Sequence, residues 1–255
     1  MRHFLESALE ITEQASSIPR SYFRKDVSID QKQDESPVTI ADRETEAFIR
    51  KRLSNKFPDH GIFGEEFGRS TAKSSYEWII DPIDGTRSFI TGNPLYGMLM
   101  ALLKDGVPQL GIVRMPELNE VYVGFEGVAI RNGDEKLHVS SITQLSDAAI
   151  YINEGDKMQA QHPELFNRLC SIGKTKRLAY DCYPHMLLAA GHIDAVVDFD
   201  LQPYDYMPLV TVVEGAGGVM TDWEGKKLTL NSDGKVVGAA TPALHETLLC
   251  VINQT

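Results

Sequence analysis

The chain has 255 residues, 42% hydrophobic and 24% charged, with 20 Gly and 12 Pro, which excludes a disordered, collagen-like or coiled-coil chain. It is long enough for one large or two modest domains with a substantial core. A net charge of −11 argues against nucleic acid as a partner and sets a condition: an anionic ligand must be attracted by something other than bulk charge.

Phe4, Ala8, Ile11, Ala15 and Ile18 recur at spacings of four and three, which predicts an amphipathic helix ending at Pro19. Acids lie inside that apolar pattern, so the segment does not read as a signal peptide. Residues 20–38 are polar and read as loop. Thr39 can cap a second helix with Asp42 in its first turns, Ala41, Thr45, Phe48 and Arg52 on one face, and an end before Pro58. Strands are expected at 77–80, 96–104, 107–115, 121–125 and 129–130, with hairpin signals at Asp105-Gly106 and Asn132-Gly133. The longest nearly apolar run, Leu95 to Leu103, is nine residues, about half a membrane span, so no membrane segment is expected. This part reads as an antiparallel sheet covered by two helices.

After residue 142 the rhythm changes. Strands at 148–152, 193–199 and 236–240 alternate with helices at 163–172, 183–190, 205–215 and 242–251, as in an α/β layer system. A boundary within Val139 to Ser146 separates an N-terminal portion, 1–142, from a C-terminal portion, 143–255. Cys170, Cys182 and Cys250 form an odd set without a CxxC, so neither a disulfide framework nor a zinc site is expected, and a reducing cytoplasm fits.

Chemistry concentrates in Trp78-Ile-Ile-Asp81-Pro82-Ile83-Asp84-Gly85-Thr86. A buried strand ends in two aspartates that Pro82 holds on a rigid turn. Carboxylates that close repel unless a cation lies between them, and oxygen ligands, the Ile83 carbonyl included, suit Mg²⁺. The same pattern also serves as a capping turn. Sixteen residues upstream of Asp81, Gly64-Glu65-Glu66 follows a short apolar stretch, where ligands emerge from sheets. Asp205 opens a helix and can either cap it or face a metal.

Taken with Ser36-Pro-Val-Thr-Ile-Ala-Asp42 and the late Glu214-Gly-Ala-Gly-Gly218, these motifs resemble, in order and spacing across essentially the whole chain, the inositol monophosphatase superfamily of Mg²⁺-dependent, Li⁺-sensitive phosphatases. Asp84-Gly-Thr-Arg87-Ser-Phe89-Ile-Thr-Gly92, Asp181-Cys182-Tyr183 and Leu201-Gln-Pro-Tyr-Asp205-Tyr-Met resemble its histidinol-phosphate phosphatase branch. The resemblance implies a layered αβαβα sandwich, α+β in its first half and α/β in its second.

It also implies a metal site. Glu65, Asp81 and the Ile83 carbonyl would hold one Mg²⁺, and Asp81, Asp84 and Asp205 a second, with Glu65 helping to hold a weaker third. Thr86 would orient a water, and Asp42 would take up the proton of its hydroxyl. Gly85, Thr86 and Arg87 would hold the phosphate, although Arg87 can also pair with Glu65 or Glu66. Asp181 and Asp198 would face the alcohol, the branch usually carrying Glu at the position of Asp198. Lys32, with Asp34 beside it, falls where the family has a lysine on a mobile loop, and a solvated loop lysine reads equally well. His185 and His192, on one expected helix, read as packing or surface residues. The implied protein is a cytoplasmic homodimer in histidine biosynthesis that acts on a small phosphate monoester and is inhibited by Li⁺. Inositol 1-phosphate and nucleotide 3′-phosphates are the alternative substrates. A non-catalytic relative should have lost a ligand, whereas Glu65, Asp81, Asp84, Thr86 and Asp205 are all present.

Overall fold

The computed structural model describes residues 1–25, 29–31 and 37–254. α1 (Arg2–Tyr22) buries Phe4, Ala8, Ile11 and Ala15 as their spacing predicts, but it does not end at Pro19. Pro19 sits in the last turn, where its missing N–H removes a single bond, and Phe23 N still closes on Pro19 O at 2.9 Å. The added turn brings Phe23 against Phe89 and Tyr96, with ring centroids 5.8 and 5.3 Å away. Within the segment read as loop, β1 (Ile29–Gln31) and β2 (Pro37–Thr39) pair antiparallel. So short a ladder rests on backbone groups, which composition does not announce. Lys32, Asp34 and Ser36 lie outside the described residues.

α2 (Ile40–Lys56) starts in a capping box formed by Thr39 and Asp42. Its buried face is Ala41, Asp42, Thr45, Glu46, Ile49 and Leu53. Phe48 and Arg52 flank that face instead of lying on it, with the Arg52 guanidinium 5.9 Å from the Phe48 ring centroid. Two buried acids hide the true face from a hydrophobicity pattern.

β3 (Gly61–Gly64), β4 (Gly68–Arg69), β5 (Tyr76–Asp84), α3 (Thr86–Ile90), β6 (Gly97–Lys104), β7 (Val107–Met115), β8 (Glu120–Phe125), β9 (Val128–Arg131) and β10 (Glu135–Lys136) follow. Their strands make one sheet in the order β10-β9-β8-β7-β6-β5-β3-β4, antiparallel except for the β3–β5 pair. Side chains alternate between its faces. Trp78, Ile80, Met98, Met100 and Leu102 pack with residues of α1 and α2. Ile79, Leu99, Ala101 and Leu103 point the other way.

The second half runs β11 (Ala149–Asn153), α4 (Gly155–Gln161), α5 (Pro163–Ser171), β12 (Thr175–Ala179), α6 (Tyr183–Ala189), β13 (Ala195–Asp198), α7 (Pro203–Gly215), β14 (Val219–Thr221), β15 (Val236–Ala239) and α8 (Pro242–Ile252). Its sheet, β12-β11-β13-β15-β14, is parallel through β13 and antiparallel beyond it. The sequence pattern does not mark α4, β12 or β14. β12 reads Thr-Lys-Arg-Leu-Ala and lies exposed at the sheet edge, so it has no apolar run to show. α6 ends at Ala189, which leaves His192 exposed beyond it, not on the helix with His185.

α6 and α7 lie between the two sheets, sharing a core with Ile79 and Leu99 on one side and Val196 and Val236 on the other. α7 presses onto the larger sheet where Gly111 and Gly124 leave space: a Cβ on either would stand 2.1 Å from α7 backbone. α5 and α8 cover the outer face of the smaller sheet through Leu165, Leu169, Leu244 and Leu248. The layers are therefore αβαβα. The 139–146 segment does pass from one sheet to the other, but α7 covers the sheet of the first half, so the two portions share one central core. No helix among the described residues is long and apolar enough to cross a membrane.

Candidate active site

Trp78, Ile79 and Ile80 pair in register with β6, and the ladder then breaks between Asp81 and Asp84. Pro82 has no N–H to offer the ladder, and the Ile83 N–H donates to Asp81 Oδ1 at 3.0 Å. The chain then turns through Gly85, at φ +89, where a Cβ would lie 2.5 Å from Asp181 Cγ. Glycine is needed there for the backbone and for the space. α3 begins at Thr86.

Asp205 arrives from the other half of the chain. It occupies the first turn of α7 and not its cap: Gln202 is the cap, and its N–H donates to Asp205 Oδ2 at 2.7 Å. Carboxylate oxygens of Asp81, Asp84 and Asp205 lie within 4.8 Å of one another. Asp84 Oδ2 also accepts the Cys182 N–H at 2.5 Å. Glu65 follows β3 directly, its N–H donating to Ile80 O at 3.2 Å, and its charge bears on Asp81.

Burial and mutual repulsion raise the three aspartates. Asp81 is pushed well above the usual carboxylate range by burial and by Glu65, Asp84 and Asp205. Asp84 is raised likewise, by burial and then by Asp181 and Asp205. Asp205 rises to about 8, chiefly through burial and the Glu65 charge. Converging carboxyls of this kind need shared protons or a cation. A hard, all-oxygen donor set that includes the Ile83 carbonyl suits Mg²⁺.

A stability prediction follows. A carboxyl raised in the fold contributes stability below its unfolded pKa and loses it as pH rises through the folded one. For Asp205 that window runs from 3.8 to about 8. The metal-free protein should lose stability across it, and a cation should restore what is lost. The rise in Tm on adding Mg²⁺ is therefore expected to be larger at pH 8 than at pH 5.5. Equal rises at both pH values in a thermal melt would refute the assignment.

Asp42 reaches the cluster from α2. Its Oδ1 accepts the Thr86 hydroxyl at 3.2 Å, and its Oδ2 accepts the Thr39 N–H at 2.8 Å and the Thr39 hydroxyl at 2.6 Å. The Thr86 hydroxyl also lies 3.3 Å from Ile83 O. With its hydrogen directed at these acceptors, the Thr86 oxygen keeps lone pairs for another donor.

A cavity of about 420 Å³ joins this cluster to a second acidic wall containing Glu154, Asp181, Asp198 and Asp200. Asp181 is in the left-handed region at φ +63 and accepts the Ser88 hydroxyl. Burial lifts its carboxyl to about 6 against that bond, and the Glu154 and Asp198 charges add to the lift. Asp198 lines the cavity with a carboxylate already engaged: it accepts from Phe199 N at 2.8 Å and Asn153 Nδ2 at 2.7 Å, and lies 2.9 Å from His185 Nε2. His185 is thus a buried partner of Asp198. Arg87 is paired with neither Glu65 nor Glu66; among the described residues its ion-pair partner is Glu154, at 4.0 Å, because α3 aims it toward the start of α4.

Sequence reasoning missed Glu154, Lys157 and Asp200. Lys157 Nζ bridges Glu154 at 2.8 Å and Asp200 at 3.0 Å. The signal was present: β11 ends Asn153-Glu154-Gly155, an acid and a glycine at a strand end, much as β3 ends at Gly64-Glu65.

Solved structures share this fold, among them an inositol monophosphatase from Zymomonas mobilis, 37% identical, with a TM-score of 0.89 and coverage of 99% of this chain and 98% of that one. The fold is that of a phosphatase class. A sequence model of the inositol monophosphatase family matches residues 1–255, and the chain belongs to that family of metal-dependent phosphatases. Curated relatives include the histidinol-phosphatase of Chlorobaculum parvum, 37% identical over 97% of this chain and 96% of that protein. Another is the chloroplastic bifunctional phosphatase IMPL2 of Arabidopsis thaliana, 38% identical over 90% of this chain and 67% of that protein.

Proposed function

We propose that the chain is a Mg²⁺-dependent histidinol-phosphate phosphatase of histidine biosynthesis, releasing histidinol and phosphate. The observation that carries this reading is the second acidic wall facing the Asp81–Asp84–Asp205 cluster across one cavity. A phosphate held at the cluster sends its alcohol toward that wall. An ammonium and an imidazolium pair with carboxylates there, whereas a neutral polyol leaves them uncompensated. Lys157 already engages Glu154 and Asp200, which leaves recognition chiefly to Asp181.

In this reading Glu65, Asp81 and the Ile83 carbonyl hold one Mg²⁺, and Asp81, Asp84 and Asp205 a second. Mg²⁺ there supplies the positive charge that draws a phosphate to an acidic chain, and it raises the acidity of a nearby water. Thr86 would orient that water: its oxygen takes the water's proton as its own hydroxyl proton passes to Asp42, and the leaving alkoxide is protonated from solvent. The Gly85 and Thr86 amides hold phosphate oxygens, and Arg87 waits at the cavity mouth. The similarity to the Chlorobaculum parvum histidinol-phosphatase supports this substrate. An equal identity to the Zymomonas mobilis inositol monophosphatase supports a second reading, inositol 1-phosphate.

A phosphate-release panel of histidinol phosphate, inositol 1-phosphate and 3′-phosphoadenosine 5′-phosphate, with and without Mg²⁺, decides between them. Histidinol phosphate is expected to give the highest kcat/KM. Asp181→Asn is expected to lower that value about tenfold or more, the worth of one charge-assisted bond, and to spare inositol 1-phosphate. Faster hydrolysis of inositol 1-phosphate by the unaltered protein would overturn the assignment.

A further inference from the structure

We infer that Glu46 is a positioning residue for the loop that presents Glu65, and that α2 sets the two sides of the site against each other. Asp42 and Glu46 are four residues apart, one turn along the same face of α2, and both are fully buried. Asp42 holds the Thr86 hydroxyl. One turn on, Glu46 Oε2 accepts the Glu66 N–H at 2.7 Å, and its Oε1 accepts the Phe67 N–H at 3.3 Å. These are the two amides that follow Glu65. A further turn on, Arg50 donates Nε to Glu46 Oε1 at 2.6 Å and Nη2 to Gly68 O. Glu65 is thus gripped on both sides, by its own N–H on Ile80 O and by the next two amides on Glu46.

Gly64 makes the approach possible. A Cβ there would stand 2.1 Å from Glu46 Oε1. An apolar residue at position 46 would fill the volume but leave two amides without their acceptor and Arg50 without its partner. Residues that orient a ligand from behind tune metal affinity although they never touch the ion. The rigid i,i+4 spacing of α2 then fixes where Glu65 stands relative to Thr86.

This inference rests on Glu65 being a metal ligand, as proposed above, and the test separates the two. The whole chain and its Glu46→Gln, Glu46→Asp and Glu65→Gln variants are titrated with Mg²⁺ by calorimetry, and amide exchange is followed in the metal-free proteins. Glu46→Gln is expected to weaken Mg²⁺ binding about tenfold or more. It should also speed exchange of the Glu66 and Phe67 amides about tenfold while leaving the β6 amides unchanged. At saturating Mg²⁺, KM should stay within about twofold of the unaltered protein. Glu46→Asp keeps the charge but is one methylene short, and should show the same faster exchange. Wild-type Mg²⁺ binding in both Glu46 variants, with binding weakened in Glu65→Gln, overturns the inference and spares the ligand assignment. Wild-type binding in Glu65→Gln overturns the assignment and the inference together. A uniform rise of exchange along the chain reduces Glu46 to a purely structural role and overturns the inference.

Discussion

Asp84→Asn is expected to lower kcat by at least about 10³-fold, roughly 4 kcal/mol of transition-state stabilisation, while raising the Tm of the metal-free protein. The substitution keeps the size of the side chain and an oxygen for the Cys182 N–H. It removes the charge and replaces one acceptor oxygen by an amide donor. Burial and the charges of Asp181 and Asp205 already make that charge costly in the fold. Losing it relieves the cluster, as happens when a strained functional site is neutralised. The gain in Tm should vanish below the ordinary carboxylate range, where Asp84 is itself neutral. Two measurements check this: turnover at saturating Mg²⁺, and thermal melts from about pH 3 to about pH 8 with and without Mg²⁺. Near-normal turnover in the variant would remove Asp84 from the metal site.

How much of this was legible in the sequence depends on what each residue does. β6 and β7 show themselves because both faces of their sheet are covered, so their residues are nearly all apolar. β12 does not, because an exposed edge strand is recognised only by its backbone pairing. Asp81, Asp84 and Thr86 are contiguous, and their motif carries the chemistry openly. Asp205 is separated from them by more than a hundred residues, and only the family resemblance joined it to the cluster; the structure supplies the reason, α7 lying between the sheets with its first turn at the larger sheet's Asp81–Asp84 turn. Glu46 was invisible for the opposite reason. A glutamate on a helix reads as solvated surface until the fold buries it beneath two amides. Asp198 stands at the end of β13 and lines the cavity, but nothing in one sequence could show that His185 and Asn153 occupy its carboxylate.

Thr86→Val and Asp42→Asn are each expected to cost about 10²- to 10⁴-fold in kcat, the usual worth of positioned proton transfer, and the double variant should cost no more than the worse single one. Valine matches threonine in shape and removes only the hydroxyl, so α3 and the Gly85 turn should survive. Burial raises the Asp42 carboxyl, the two bonds from Thr39 pull it back, and the Glu65 charge adds to the rise. The net rise makes Asp42 a better proton acceptor than a solvated aspartate. Asn cannot accept that proton. Asn keeps an oxygen for the Thr39 N–H and removes a charge that burial makes costly, so no loss of Tm is expected for Asp42→Asn or for Thr86→Val. The double variant separates two accounts. If the hydroxyl and the carboxylate act as one relay, removing either destroys it and the second removal adds nothing. If Asp42 matters only as a helix cap and Thr86 only as a phosphate contact, the two losses multiply. Multiplicative kcat losses, measured at saturating Mg²⁺ in variants whose melts remain cooperative, would therefore exclude the relay and leave Asp42 as a structural residue.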